Sequence, residues 1–184
     1  MITLEEKKLQ GYKHKLLSFE KGEHKSQDVL EINPRGQNQF KSQGIKLIPD
    51  SPAEQALMYQ RMMEGLTLTD KLNSVIYYDL LIPEEERHDS AVKRNREGLA
   101  TELNLWEGYL QKVAAGSYLA GGFSLADVIV FPNIAYAFRF GLSAGRYPKL
   151  AKYYSLLKDR PSIKASRPPH WLASPQGYDI LKDL

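Results

Sequence analysis

The segment FSLADVIVFPNIAYAFRF, residues 123–140, decides how the rest of the chain is read. Ser124 is followed three residues on by Asp127, the spacing of a capping box: the serine side chain accepts the third helical N–H while the carboxylate reaches back to the N–H of Ser124. From Leu125 to Phe140 the run is apolar almost all round, which a helix lying on a surface cannot be. It predicts a central, buried helix with Ser124 and Asp127 as its structural cap. An N-cap is typically worth about 1 kcal/mol, and one at a buried helix end, where orphan N–H groups have no water to turn to, should be worth more. Pro132 leaves the carbonyl of Val128 without its donor, so a kink is expected there.

Two long helices are expected before this one. In Asp50-Ser51-Pro52-Ala53-Glu54, Ser51 can serve as N-cap, Pro52 suits the first helical position, and Glu54 can complete a second capping box. Ala56, Tyr59, Met63, Leu66, Leu72, Val75, Ile76 and Leu80 then recur at mostly three- and four-residue steps until Pro83 stops the helix. Glu84 to Asp89 reads as a charged, exposed connection. From Ser90 a second helix places Val92, Leu99, Leu103, Trp106, Leu110 and Val113 on one face, with Gly116 as a left-handed C-cap. After the central run, Tyr147-Pro148 opens an amphipathic helix through Leu157, closed by Arg160-Pro161, and short helical turns alternate with proline breaks from Ser162 on. Residues 1–41 differ: Tyr12 to Phe19 alternates as a strand, Glu20 to His24 is a turn, and Lys25 to Ile32 can be a short helix. One strand cannot make a sheet, because both of its rows of backbone groups stay unpaired.

Composition narrows the function. The 184 residues suffice for one ordinary domain or two small ones, and the absence of cysteine excludes disulfides, thiolate metal sites and cysteine nucleophiles. The four histidines, His14, His24, His88 and His170, have no metal-ligand spacing, and Glu84-Glu85-Glu86 reads as solvated charge. A net charge of +3, with lysines interleaved among acids, argues against nucleic acid as a partner. No apolar leader or run of 18 uncharged apolar residues is present, so neither secretion nor membrane insertion is expected, and a cytoplasmic location is.

Tyr118-Leu119-Ala120-Gly121-Gly122, the box, and Val128-Ile129-Val130-Phe131-Pro132 together resemble the core motif of the helical domain of soluble glutathione transferases. Phe19 to Ser26 followed by Asn33-Pro34-Arg35-Gly36-Gln37 resembles the second strand, loop and second helix of that family's thioredoxin-like domain. Leu47-Ile48-Pro49-Asp50 resembles its interdomain linker, and Arg146 to Ile163 its seventh-helix region. The closest likeness is to the theta-like branch, and within it to the rho-class enzymes of fish. The resemblance implies a mainly α chain: a truncated thioredoxin-like α/β domain over residues 1–41, a linker at 42–50, and an all-α helical bundle at 51–184.

The family's chemistry is conjugation of reduced glutathione, as co-substrate, to small electrophiles. On that resemblance His24, Lys25 and Gln37 fall in the glutathione-binding region, and Met63, Thr67 and Trp171 line the second-substrate pocket. The intact enzyme would be a homodimer through the first two long helices of the bundle. Two departures stand against this. Met1 already falls within the helix that follows the family's first strand, so the thiolate-stabilising hydroxyl has no counterpart: Thr3, the nearest, lies in mid-helix, and no catalytic residue is assigned. After Gln37, the segment bearing the Glu-Ser or Asp-Ser pair that holds the γ-glutamyl end is absent. The alternative expectation is therefore a catalytically inactive shortened form, binding ligands or partners through its helical domain.

Overall fold

A computed structural model describes residues 2–8, 45–113, 117–173 and 178–184, and all their side chains except those of Leu172 and Ala173. The expected strand, turn and helix of residues 12–32, Gly116, and the glutathione-region residues His24, Lys25 and Gln37 lie outside the described residues. Within them every regular element is helical: α1 (Ile2–Glu6), α2 (Pro52–Ile76), α3 (Tyr78–Leu81), α4 (Asp89–Lys112), α5 (Leu125–Arg139), α6 (Pro148–Leu157), α7 (Pro161–Ala165) and α8 (Pro169–Ala173), with one 3₁₀ turn at Glu84–Glu86. Two isolated antiparallel bridges, Tyr118 with Gly121 and Ala120 with Gly122, precede α5.

The central helix is α5, continuous across Pro132 and burying Ala126, Val130, Phe131, Ile134 and Ala137. It packs against α2, α6 and α1, while α4 packs against α2 and α6. Gly65 sets the α2–α5 spacing, since a Cβ there would stand 3.0 Å from Cγ2 of Val130. The seam is completed by Leu68 and Leu72 of α2 and by Leu99, Leu103, Trp106 and Leu110 of α4, each 7% exposed or less. Full burial of each such side chain contributes about 1.5–3 kcal/mol. The α4 face is the one its periodicity predicts, with Val92 left at the exposed margin.

For α2 the structure corrects the reading. Its buried face is Met58, Gly65, Leu68 and Leu72, whereas Tyr59, Met63 and Leu66 face outward. The Ser51 box does not form either. Ser51 is the N-cap and Pro52 the first helical residue, but the serine side chain makes no cap bond. The carboxylate of Glu54 lies against Gly121 instead, 2.9 Å from where a Cβ would stand.

Helix ends are satisfied largely by neighbours. The first N–H of α5 donates to the carbonyl of Leu47 in the linker (2.9 Å). At the start of α6 the N–H groups of Lys149 and Leu150 donate to the Glu107 carboxylate of α4 (2.7 and 2.9 Å). Both contacts meet orphan donors that burial would leave without water. Helix α1 is pinned to α7 by Glu6, 7% exposed, whose carboxylate accepts from Nε and Nη2 of Arg160 and from Oγ of Ser162. Arg160 also lies over the Phe123 ring, 3.9 Å from its centroid. Burial works to raise the Glu6 carboxyl, but the bonds from Arg160 and Ser162 outweigh it and hold the group below its ordinary range.

Candidate functional site: an aromatic cleft beside the central helix

Two polar arrangements stand out inside the bundle, and they do different things. The first is the cap of α5. Asp127, fully buried, accepts from the N–H of Ser124 (2.9 Å), Oγ of Ser124 (3.2 Å), the N–H of Leu119 (3.1 Å) and the hydroxyl of Tyr153 (3.0 Å). The reciprocal contact from Ser124 to the N–H of Asp127 completes the box. Burial pushes the carboxyl above its ordinary value against these four bonds, and it pushes the fully enclosed Tyr153 well up. No lining residue of the cleft described next belongs to this cluster, so the box is structural, as its sequence implies.

The second arrangement is a cleft of about 990 Å³ formed by side chains from six segments. Helix α5 supplies Phe131, Tyr136, Phe138 and Arg139, α6 supplies Tyr154, and Tyr77 enters from the end of α2. Ile2 of α1 and the α7–α8 region, with Arg167, His170 and Trp171, close the remaining sides. Tyr136 and Arg139 sit three residues apart on α5, so both reach the same face. The ring of Tyr136 stacks on Trp171 at 6.2 Å and 20°, and Phe131 stacks on Tyr154 at 5.9 Å and 4°. The Arg139 guanidinium lies 5.0 Å from the Trp171 centroid, in cation–π range. The hydroxyls of Tyr77 and Tyr136 share a hydrogen bond, and burial together with that bond drives the Tyr136 phenol far above its ordinary value. Tyr136 therefore stays neutral in the physiological range and offers hydrogen bonding, not a base.

Of the three residues expected in the second-substrate pocket, Trp171 lines the cleft. Met63 (65% exposed) and Thr67 project from α2 to solvent and are not among the lining residues. Tyr77, Tyr136, Tyr154 and Arg167 were not anticipated. One signal was available: Arg139 is the only charge after Asp127 in the apolar run to Phe140, and a lone cation at the end of a buried helix needs a reason. Among the described residues no group of His, Asp or Glu is placed to hold a metal ion. No described helix is long and apolar enough to cross a membrane.

The described residues thus form an all-α bundle built around a buried, box-capped helix, with an aromatic cleft along one side. Residues 72–161 match the family description Glutathione S-transferase, C-terminal domain. Glutathione S-transferase A of Pleuronectes platessa is 62% identical over 207 residues, covering 100% of this chain and 92% of its own length. The crystal structure of a glutathione S-transferase from the Antarctic clam Laternula elliptica superposes with a TM-score of 0.80 at 30% identity, covering 99% of this chain and 91% of that one. The transferase URE2P6 from Phanerochaete chrysosporium, solved with oxidized glutathione, has a TM-score of 0.72 at 23% identity over 89% and 86% of the two chains, a likeness of fold. This chain belongs to the glutathione S-transferase family. The match to the Pleuronectes platessa protein spans 207 positions against 184 residues here, so at least 23 aligned positions of that relative have no counterpart in this chain.

Proposed function

We propose that the protein conjugates reduced glutathione to small electrophiles and that the aromatic cleft is where the electrophile binds. The observation that carries this reading is the cleft's composition: apolar and aromatic walls with a few directed polar groups, at a volume near the top of the range for small-molecule sites. In the reaction the glutathione thiol gives up its proton, the thiolate sulfur attacks the electrophilic carbon, and a thioether forms as the leaving group departs or the double bond takes up a proton. Thiolate at neutral pH requires a hydroxyl hydrogen bond or a helix N-terminus beside the sulfur. This chain's residues for glutathione itself are His24, Lys25 and Gln37, and Trp171 serves the second substrate. The chain divides at 1–41, 42–50 and 51–184, belongs with the theta-like, rho-class branch, and works in the cytoplasm.

The pair of long helices supports a homodimer. Tyr59 (48% exposed), Met63 (65%) and Leu66 (53%) recur at steps of four and three along α2 and form an uncovered apolar stripe. Met63 and Thr67 fit that subunit face better than the cleft.

The second reading, a helical domain that binds ligands without turnover, is favoured by the 23 or more aligned positions of the relative that this chain lacks. Retention on immobilised glutathione, followed by conjugation of a generic aryl halide in the eluate, separates the two. Specific elution with turnover above the uncatalysed rate supports the transferase. A folded, cooperatively melting chain with neither property establishes the ligand-binding form.

A further inference from the structure

A second cavity, of about 440 Å³, shares no lining residue with the aromatic cleft and falls within the size range of small-molecule sites. One face of α4 supplies most of it: Asp89, Val92, Lys93, Arg96, Glu97 and Ala100 recur at steps of three and four. Arg146 enters from the connection between α5 and α6, and Asp183 and Leu184 come from the tail. Both arginines grip that tail by its backbone. Nη1 of Arg96 donates to the carbonyl of Ile180 (2.9 Å), and Nη1 of Arg146 to that of Asp183 (3.4 Å). Leu181 and Leu184, 0% and 5% exposed, root the tail in the core, so the two guanidinium groups have a fixed support.

The carbonyls are neutral acceptors and leave both guanidinium charges in place. Lys93 and Glu97 pair with each other (3.9 Å), but none of the ion pairs among the described residues includes Asp89, Arg96, Arg146 or Asp183. The cavity is therefore lined by three cations and three carboxylates, of which two of each sign stand unpaired. A ligand of one sign meets repulsion as well as attraction here, whereas one that is neutral overall and carries both charges can answer both. Asp89 and Arg96 are seven residues apart on α4, roughly 10 Å along its axis. That is too far for the ammonium and carboxylate of a single amino acid, and it suits a chain of two or three residues at about 3.3–3.6 Å each. Val92, Ala100 and Leu184 provide an apolar wall for its side chains. We propose that this cavity binds short zwitterionic peptides, with Arg96 and Arg146 taking the carboxylate and Asp89 the ammonium. The proposal is independent of the transferase reading, because it concerns a separate site and is measured by binding alone.

Three probes titrated into the full, ¹⁵N-labelled chain make the test: alanylleucine, its N-acetyl form without the ammonium, and its amide without the carboxylate. The free dipeptide should bind with a Kd of about 1 mM, and each blocked form about tenfold more weakly. Amide shifts should cluster on α4 between Asp89 and Ala100 and at Asp183, and added salt should weaken the free dipeptide most. Asp89→Asn, at an exposed position that no core contact depends on, should bring the dipeptide down to the affinity of its N-acetyl form and leave that form unchanged. Arg96→Gln/Arg146→Gln should likewise remove the advantage over the amide. Absence of shifts at millimolar dipeptide, equal affinity for the three probes, shifts confined to the aromatic cleft, or a preference that survives Asp89→Asn overturns the proposal. The probe series and the Asp89 variant leave the tail's anchors untouched, so they decide the matter even if the arginine substitutions loosen the tail.

Discussion

Asp127→Ala removes the acceptor for four hydrogen bonds at once, in a place where water cannot substitute. The N–H groups of Leu119 and Ser124 and the hydroxyl of Tyr153 all lose their partner, while the Ser124 hydroxyl is free to turn elsewhere. An unsatisfied buried donor costs roughly 1–3 kcal/mol. Three of them, with the Tyr153 hydroxyl able to reorient, give about 4 kcal/mol, several times the ~1 kcal/mol of an ordinary cap. Against a total of about 5–15 kcal/mol for a domain, that is enough to leave the chain barely folded. Asp127→Asn keeps the shape but turns an amide donor toward one of the two backbone N–H groups, for a loss of about 2 kcal/mol. Tyr153→Phe deletes one donor and leaves the rest of the set intact, about 1 kcal/mol. Urea unfolding followed by far-ultraviolet circular dichroism measures all three. A loss of 1 kcal/mol or less for Asp127→Ala, or an order other than alanine, asparagine, phenylalanine, would refute the claim that burial makes this cap expensive to lose.

Other outcomes follow from the same geometry. Glu6 is held below its ordinary value of 4.5, so its stabilising effect is fully present above that value and is lost as pH falls through the folded-state pKa. Glu6→Gln should cost about 2 kcal/mol at neutral pH and flatten the acid limb of a stability profile; an unchanged acid limb would place the sensitive carboxylates elsewhere. Gly141 has φ +94°, and a Cβ there would stand 2.8 Å from the Tyr178 carbonyl oxygen. Gly141→Ala should therefore cost about 2 kcal/mol and loosen the tail, read as faster hydrogen exchange at the Tyr178 and Leu181 N–H groups, which bond the carbonyls of Arg139 and Phe140 (both 2.8 Å). Met63→Asp with Leu66→Asp, on the uncovered stripe of α2, should leave the melt unchanged and weaken dimerisation by roughly two orders of magnitude in sedimentation. A native chain that sediments as a monomer would dispose of the subunit face altogether.

The parts of the fold that could be read from sequence are those with a local cause. All-round apolarity from Leu125 to Phe140 and the Ser124–Asp127 spacing depend on neighbours within a few residues; the box and the central helix appear in the structure, while Ile129 (38% exposed) and Pro132 are left at the surface. The α4 stripe was legible because that helix is apolar on one side only. In α2 the apolar residues occupy two faces, and periodicity tells which residues share a face without telling which face meets the protein. Gly65 held the answer, since a glycine amid a long helix marks a close neighbour, here Val130. The second box failed because Glu54 finds its place beside Gly121, 67 positions away in the chain, instead of at its own helix end. Most of the cleft was invisible for a similar reason. Ile2, Tyr77, Tyr136, Tyr154 and Trp171 come from five separate segments, and only the lone charge of Arg139 and the aromatic tail residue Trp171 hinted at it.

The bond between Glu6 and Arg160 joins residues 154 positions apart. At translation speeds of about 5–20 residues per second, the arginine leaves the ribosome roughly 8–30 s after the glutamate. Throughout that interval the side chain of Glu6 has none of the α7 surface against which it comes to rest, and Ile2 lacks α5 for most of it. Helix α1 is too short to hold its own shape without that surface. The start of the chain must then wait, solvated or held by a chaperone, while α2 and α4 to α6 assemble. Its docking on α7 can begin only after Arg160 and Ser162 have emerged, and a ribosome that pauses before Arg160 prolongs the exposure of Glu6, which the finished protein keeps buried.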